Sequence, residues 1–301
     1  MSVVLQPDPA AEEAPTGTGP LVLAINNKKG GVGKSTTAAC LAEALARASS
    51  LLIAERDFRV LAVDTDSQGD MSKALGFRSA EDRLPSLANA LTLDTVAAPE
   101  LALHRTRVPG LDLLTGSDNL DDIEQFLGQT ADPLVEELRL RQLIDYLCSI
   151  NHYDVVIIDC PPRGYSPIFS MAMRAADTYI VPVTLEYFAA DGVAALFKAV
   201  NRFAEEHEYA PLLLGILLSR VDGRLRDTGP ELAGMREQYN EYLLTTVIRE
   251  NNAIRQAQKR DKSLFLDYRG SEGDRCYRSL AREIVKKCRD FRLGPTLIQA
   301  E

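Results

Sequence analysis

The chain has 301 residues, 46% of them hydrophobic and 26% charged, a composition that fits one large or two small globular domains and excludes disordered and fibrous classes. With 34 Lys+Arg against 43 Asp+Glu the net charge is −9, so bulk charge does not draw the chain to nucleic acid or anionic lipid, and any such contact needs a local patch. The apolar runs at 21–25 and 211–218 fall far short of the ~20 residues of a membrane-spanning helix, and five cysteines without a C-x-x-C pair argue against a disulfide framework or a metal cage and suit a reducing cytosol.

Residues 1–19, rich in Pro, Ala, Gly, Thr and Glu without apolar periodicity, are expected to form a disordered tail. The first twenty residues contain no Lys or Arg, so the basic region of a signal peptide is missing and the tail is expected to stay in the mature chain. From Leu21 onward β-rich runs alternate with helical patterns: LVLAI (21–25), VLAV (60–63), LDLL (111–114), DVVIID (154–159), TYIVPV (178–183), LLLGILL (212–218) and LLTTVI (243–248). This alternation predicts an α/β fold with a mainly parallel, doubly wound sheet and helices on both faces, as one domain over 20–292 followed by a tail at 293–301. Within 134–150, Leu140, Leu143, Ile144 and Leu147 recur at helical spacing, predicting a helix that lies on the sheet. The stretch 45–60 is longer than a helix-to-strand connection requires, and its residues carry no signal of its role.

The segment 21–37, LVLAINNKKGGVGKSTT, is a buried-type strand, a glycine-rich turn and a helix-forming run, which is the context of a phosphate loop. Gly30, Gly31 and Gly33, with Val32 between them, let the backbone N–H groups surround phosphates, and the helix opened by Lys34, Ser35 and Thr36 presents its positive end to them. Lys34 reaches the β- and γ-phosphates and Ser35 takes a Mg²⁺ position. The strict pattern has Gly where Lys28 stands, and a dinucleotide fingerprint fails because its third glycine would be Thr36. Two acidic segments follow strands. In VLAVDTDSQGD (60–70), Asp64 or Asp66 holds Mg²⁺-bound water or orients the attacking water. In DVVIIDCPP (154–162), Asp159 has the position of a Mg²⁺-coordinating acid, and Pro161 and Pro162 stiffen the exit. Cys160 beside it reads as a packed small residue.

The form K-G-G-x-x-G-K-[ST], with Lys29 before the double glycine, resembles the deviant Walker A loop of the ParA/MinD ATPases. The resemblance implies a P-loop NTPase with ATP and Mg²⁺ as cofactors, residues 29–36 on the nucleotide, and Lys29 reaching across a dimer interface to the phosphates of the partner subunit. Residues 64–69 resemble the family's D-x-D-P-Q-G segment, with Ser67 where proline is usual; that match makes Asp66 the hydrolytic carboxylate, alongside the metal with Ser35 and Asp159, and Asp64 a supporting one. Residues 159–162 resemble the D-x-P-P segment, followed by Arg163 where a small residue is commoner. The likeness extends over 111–127, over 181–193 with Glu186 and Gly192, and over 247–258 and 271–285, where it is to partition ParA proteins in particular. Two departures stand out there: Glu250 replaces a usual basic residue, and the family's Ala-Pro turn reads Ala257-Gln258.

Charge is uneven along the chain. Residues 249–289 hold twelve Lys/Arg and six acids, an excess of +6, which suits a sequence-independent DNA-backbone contact through Arg255, Lys259 and Arg260, extended by Arg220, Arg224 and Arg226. The resemblance then implies an ATP-dependent homodimer, nonspecific DNA, a ParB-like or other cargo adaptor, and a cytoplasmic, nucleoid-associated protein that segregates a plasmid, chromosome or other cargo. A MinD-like membrane ATPase would need a terminal amphipathic helix. The apolar stripe of Tyr277, Leu280, Ala281, Ile284, Val285 and Cys288 precedes a Gly294-Pro295 break and is expected to pack on the domain instead. A non-catalytic ATP clamp is opposed by Lys34, Ser35, Asp66 and Asp159, all present.

Overall fold

The computed structural model describes residues 19–78, 85–92, 102–127, 133–162, 166–187, 211–222 and 242–291, with positions 202, 204, 205, 209, 237 and 239. Every predicted strand run forms a strand. The strands are β1 (Leu21–Ile25), β2 (Val60–Asp64), β3 (Leu103–Arg105), β4 (Leu111–Leu114), β5 (Val155–Asp159), β6 (Thr178–Val183), β7 (Leu212–Val221) and β8 (Leu243–Arg249). They build one sheet in the order β3-β4-β2-β5-β1-β6-β7-β8. All neighbours are parallel except β3, which runs antiparallel to β4 at the edge. β3 is only three half-buried or exposed residues, Leu-His-Arg, too short for alternation to reveal.

The helices are α1 (Lys34–Ala46), α2 (Asp70–Ala74), α3 (Leu87–Thr92), α4 (Asn119–Leu127), α5 (Pro133–Asn151), α6 (Pro167–Ala175), α7 (Asn252–Lys259), α8 (Leu264–Asp267) and α9 (Glu272–Asp290), with a helical turn at Leu185–Tyr187. β1, β2 and β5 are buried at every residue, because a parallel strand covered on both faces must be apolar on both. Alternate residues feed two cores. Val22, Ala24, Leu61, Val63, Val156 and Ile158 pack with α3, α4, α5 and α6. Leu21, Leu23, Ile25, Val60, Ala62 and Ile157 pack with α1 and α9, and α9 contributes the whole stripe from Tyr277 to Cys288. No helix among the described residues is long and apolar enough to cross a membrane. The expected tails lie outside the described residues apart from Gly19.

The connection after α1 has a structural role. Asp57 accepts hydrogen bonds from the Ser49 N–H and hydroxyl, both at 2.8 Å, closing the segment on itself. Arg56 grips Asp154 with two bonds of 2.9 Å, and Arg282 of α9 donates to the Leu51 and Leu52 carbonyls. The long stretch thus fastens the start of β5 and the flank of α9 to α1.

Candidate functional site

The carboxyl ends of the parallel strands, where ligands bind in open α/β sheets, bring together most of the residues singled out in the sequence. β1 ends at Ile25 and α1 begins at Lys34. Between them Gly31 (φ +75°) and Gly33 (φ +90°) occupy the left-handed region that glycine enters at little cost. Gly33 caps α1 without a side-chain cap hydrogen bond, which leaves the first-turn N–H groups for an anion. The loop is held from outside. The buried Asn27 amide donates to the Pro182 carbonyl at 2.6 Å and accepts from the Lys29 N–H at 2.9 Å. Ser219 Oγ donates to the Val32 carbonyl, and Arg220 Nη1 to the Gly31 carbonyl, both at 2.5 Å. In a trans peptide the N–H points opposite the C=O, so these bonds turn the Gly33 and Val32 N–H groups away from β7.

Asp64 and Asp159 end adjacent strands in register with each other. Asp64 is buried and satisfied. It accepts from the Ser72 N–H (2.8 Å), the Ser72 hydroxyl (2.7 Å) and the Asp66 N–H (3.2 Å). Burial nevertheless raises its pKa to about 6. Gly116 crowds it so closely that a Cβ there would sit 2.9 Å from the Asp64 carboxylate and 2.5 Å from the Asp66 carbonyl. Asp66 accepts from the Gln68 N–H at 3.0 Å; burial raises its pKa against the pull of Lys34. The Asp159 backbone is fixed by Thr65, whose N–H and hydroxyl both reach its carbonyl, at 3.1 and 2.6 Å. Both Asp159 carboxylate oxygens are buried with no hydrogen-bond partner. Burial and the Asp64 charge push its pKa well up; the Ser35 hydroxyl, nearby but outside hydrogen-bonding geometry, and Lys34 pull it down. Lys34 is buried, its Nζ donates to the Lys29 carbonyl at 3.2 Å, and burial lowers its pKa against the attraction of Asp159 and Asp66.

A buried carboxylate without a partner is costly unless a cation meets it, and Asp159 beside the Ser35 hydroxyl fits Mg²⁺, which takes one or two protein oxygens and fills its shell with water and phosphate. Among the described residues no cluster of three His, Cys, Asp or Glu offers a metal cage. The Cys160 thiol, buried next to Asp159, is pushed up in pKa, and all five cysteines are free.

The cleft above these groups measures about 690 Å³. Its far wall is the segment after β8. Arg255 and Lys259 line it, and the exposed Arg260 follows directly. Thr36 accepts from Gln258 Nε2 at 2.5 Å, and Glu250 pairs with Arg220 at 3.3 Å, so both departures from the family pattern make contacts across the cleft. Three of the twelve cations are paired with acids of the same segment, Arg249 with Glu272 (3.5 Å), Lys262 with Asp267 (3.7 Å) and Arg278 with Asp274 (2.6 Å), which leaves the excess of +6 unchanged. Arg220 donates to the phosphate loop and lines the same cleft as Arg255 and Lys259. Lys29 is exposed beside the glycines, its main chain bonded through both N–H and carbonyl. Glu186 is exposed on its helical turn. Arg163, Gly192, Arg224 and Arg226 lie outside the described residues. Sequence reasoning missed Asn27, Ser72, Gly116 and Ser219. Asn27 and Ser219 bond the loop, Ser72 bonds Asp64, and the Gly116 N–H donates to Ser72 Oγ at 3.0 Å; none of them carries a spacing signal of its own.

A family model described as an AAA domain matches residues 21–211. The chromosome partitioning protein ParA of Caulobacter vibrioides is 32% identical over 269 residues, covering 89% of this chain and 95% of its own length. Among solved structures, the cobyrinic acid a,c-diamide synthase of Mycobacterium smegmatis, with a bound ATP analogue and magnesium, is 30% identical at a TM-score of 0.68, over 87% of this chain and 93% of its own. The septum site-determining protein MinD of Pyrococcus horikoshii, complexed with Mg-ADP, is 25% identical at a TM-score of 0.66, over 88% and 96%.

Proposed function

Because the chain belongs to the ParA/MinD family of P-loop ATPases, and is an ATPase that uses ATP and Mg²⁺, we propose that it is a partition ATPase that dimerises on ATP, binds DNA without sequence preference and is reset by partner-stimulated hydrolysis. The loop residues Gly30, Gly31, Val32, Gly33, Ser35 and Thr36 cradle the phosphates, and Lys34 neutralises their charge. Ser35 and Asp159 would hold Mg²⁺ with Asp66 alongside, and the ion, when bound, would supply charge to offset that building on the phosphoryl oxygens. Asp66 orients the water that attacks the γ-phosphorus, and Asp64 keeps the turn that carries Asp66 in shape through Ser72. Lys29, exposed on the rim, reaches the nucleotide of a facing subunit.

The observation that carries this reading is the position of Arg255 and Lys259: they line the same cleft as Lys34, Ser35 and Asp66. A DNA-binding cation on the wall of the nucleotide cleft responds to the nucleotide, and pairing two such walls in a dimer adds their phosphate contacts. The test is co-sedimentation with DNA and, separately, with anionic liposomes, each with and without ATP. ATP-dependent DNA binding that collapses between 50 and 200 mM salt, and is lost in an Arg255→Glu, Lys259→Glu, Arg260→Glu variant that still dimerises, is the expected result. ATP-dependent binding to liposomes in place of DNA would favour a MinD-like role.

A further inference from the structure

Arg220 occupies a strained position at the mouth of the cleft. It is the penultimate residue of β7 with φ +54°, one of four non-glycine residues among those described that lie in the left-handed region. Such a backbone persists where its surroundings hold it. Here the guanidinium spans two acceptors. Nη1 donates to the Gly31 carbonyl at 2.5 Å and Nη2 to Glu250 Oε1 at 3.3 Å. Gly31 is itself left-handed, and the Arg220 guanidinium is what a Cβ there would meet, at 3.6 Å. Glu250 immediately follows β8 and precedes Asn251, which caps α7 by accepting from the Ala253 N–H. A planar fork with separate donors can hold two acceptors on different segments at once, which an ammonium cannot do in the same geometry.

We infer that Arg220 is a positioning residue of the ATPase site: oriented by Glu250, it holds the Gly31 carbonyl toward β7 and so directs the Val32 N–H to the bound phosphates. The inference rests on the ATPase reading and gives Arg220 a role at the phosphate loop in place of the DNA contact that its charge suggested. Because the N–H meets phosphate before and during the reaction alike, losing Arg220 removes uniform binding and acts on KM rather than kcat.

Arg220→Gly removes the guanidinium while suiting the left-handed backbone, so the fold is not asked to absorb strain. It should raise the KM for ATP, and the Kd of a fluorescent ATP analogue with Mg²⁺, about tenfold, the worth of one charge-assisted hydrogen bond, with kcat within about twofold and Tm unchanged. Glu250→Gln should produce about a threefold effect. Arg220→Gly with Glu250→Gln should be no worse than Arg220→Gly alone, because Glu250 acts through Arg220. Arg220→Lys should recover only part of the affinity. Wild-type KM in Arg220→Gly, or a Glu250→Gln effect that adds in full to it, overturns the inference. So does loss of DNA co-sedimentation at unchanged ATP affinity, which would return Arg220 to a DNA surface. A wild-type chain that neither binds nor hydrolyses ATP fails at the underlying reading instead, before any variant is made.

Discussion

Glu43 offers a measurable link between burial and pH. It lies on α1, 4% exposed, and its Oε2 accepts from the Ser263 hydroxyl at 2.6 Å. Burial raises its pKa from 4.5 to about 7, opposed by the Ser263 hydrogen bond, Arg107 and Arg47 and reinforced by Asp267. A pKa raised in the folded state means that folding takes up a proton, so the stability tied to this group is fully present below about 4.5 and is lost as the pH rises through about 7. The rise from 4.5 to about 7, at 1.36 kcal/mol per unit, makes that loss about 3 kcal/mol by pH 8. Glu43→Gln keeps the volume and an acceptor for Ser263 but cannot ionise. Urea unfolding of both proteins at pH 5, 6, 7 and 8 should therefore show the variant gaining on the wild type by about 2.5 kcal/mol between pH 5 and pH 8, whatever constant offset the amide brings. A difference that stays flat across that range would mean that Glu43 is charged in the folded state throughout, and the reasoning from burial would fail.

Glu283 of α9 accepts from the Thr245 and Thr246 N–H groups, at 2.5 and 2.8 Å, where β8 slips out of register with β7; Glu283→Ala should cost about 1.5–3 kcal/mol in urea unfolding and Glu283→Gln about half of that, and an unchanged midpoint would show that the slipped strand does not depend on it. Lys29→Ala should keep most of its ATP affinity and lose ATP-dependent dimerisation by light scattering with a nonhydrolysable analogue, and a variant that dimerises like the wild type refutes the reach across the interface. Asp66→Ala should bind ATP and dimerise but release phosphate at under about 1% of the wild-type rate, since positioning of the water is most of what the protein supplies; turnover near wild type removes Asp66 from the mechanism.

The sheet was legible because every buried parallel strand is a continuous apolar run, and the phosphate loop because glycine, lysine and serine at that spacing have few other uses after a strand. What escaped had no pattern to show. β3 is an edge strand of three residues whose pairing depends on β4 rather than on its own apolarity. The division of labour between Asp64 and Asp66 comes from the family resemblance, since D-T-D by itself leaves either acid at the metal or the water. The nearer acid turns toward Ser72 and is filled with donors; the farther one, among the described residues, is bonded through its own turn, to the Gln68 N–H. The basic excess of 249–289 was visible as a sum, but a sum does not say that Arg249, Lys262 and Arg278 face acids while Arg255 and Lys259 face the cleft. Arg220 is the clearest case, a cation whose partners, Gly31 and Glu250, lie 189 and 30 residues away.

On the proposed reading, those partners also give a way for nucleotide and DNA to act on one segment. Residues 250–261 are tied across the cleft at three points: Glu250 through Arg220 to the Gly31 carbonyl, Gln258 to the Thr36 hydroxyl, and Asp261 to Arg78 at 2.8 Å. Asp261, like Arg220, carries a left-handed backbone, with φ +50°. Arg255 and Lys259 lie between the outer ties, on the segment that these contacts join to the phosphate loop and α1. On the proposed reading the coupling needs no path through the core: the cations that meet DNA share one short, strapped segment with the contacts that hold the loop. Binding linkage then requires the effect to run both ways, with DNA tightening ATP by the same factor by which ATP tightens DNA. On that reading the site releases both together once hydrolysis removes the γ-phosphate.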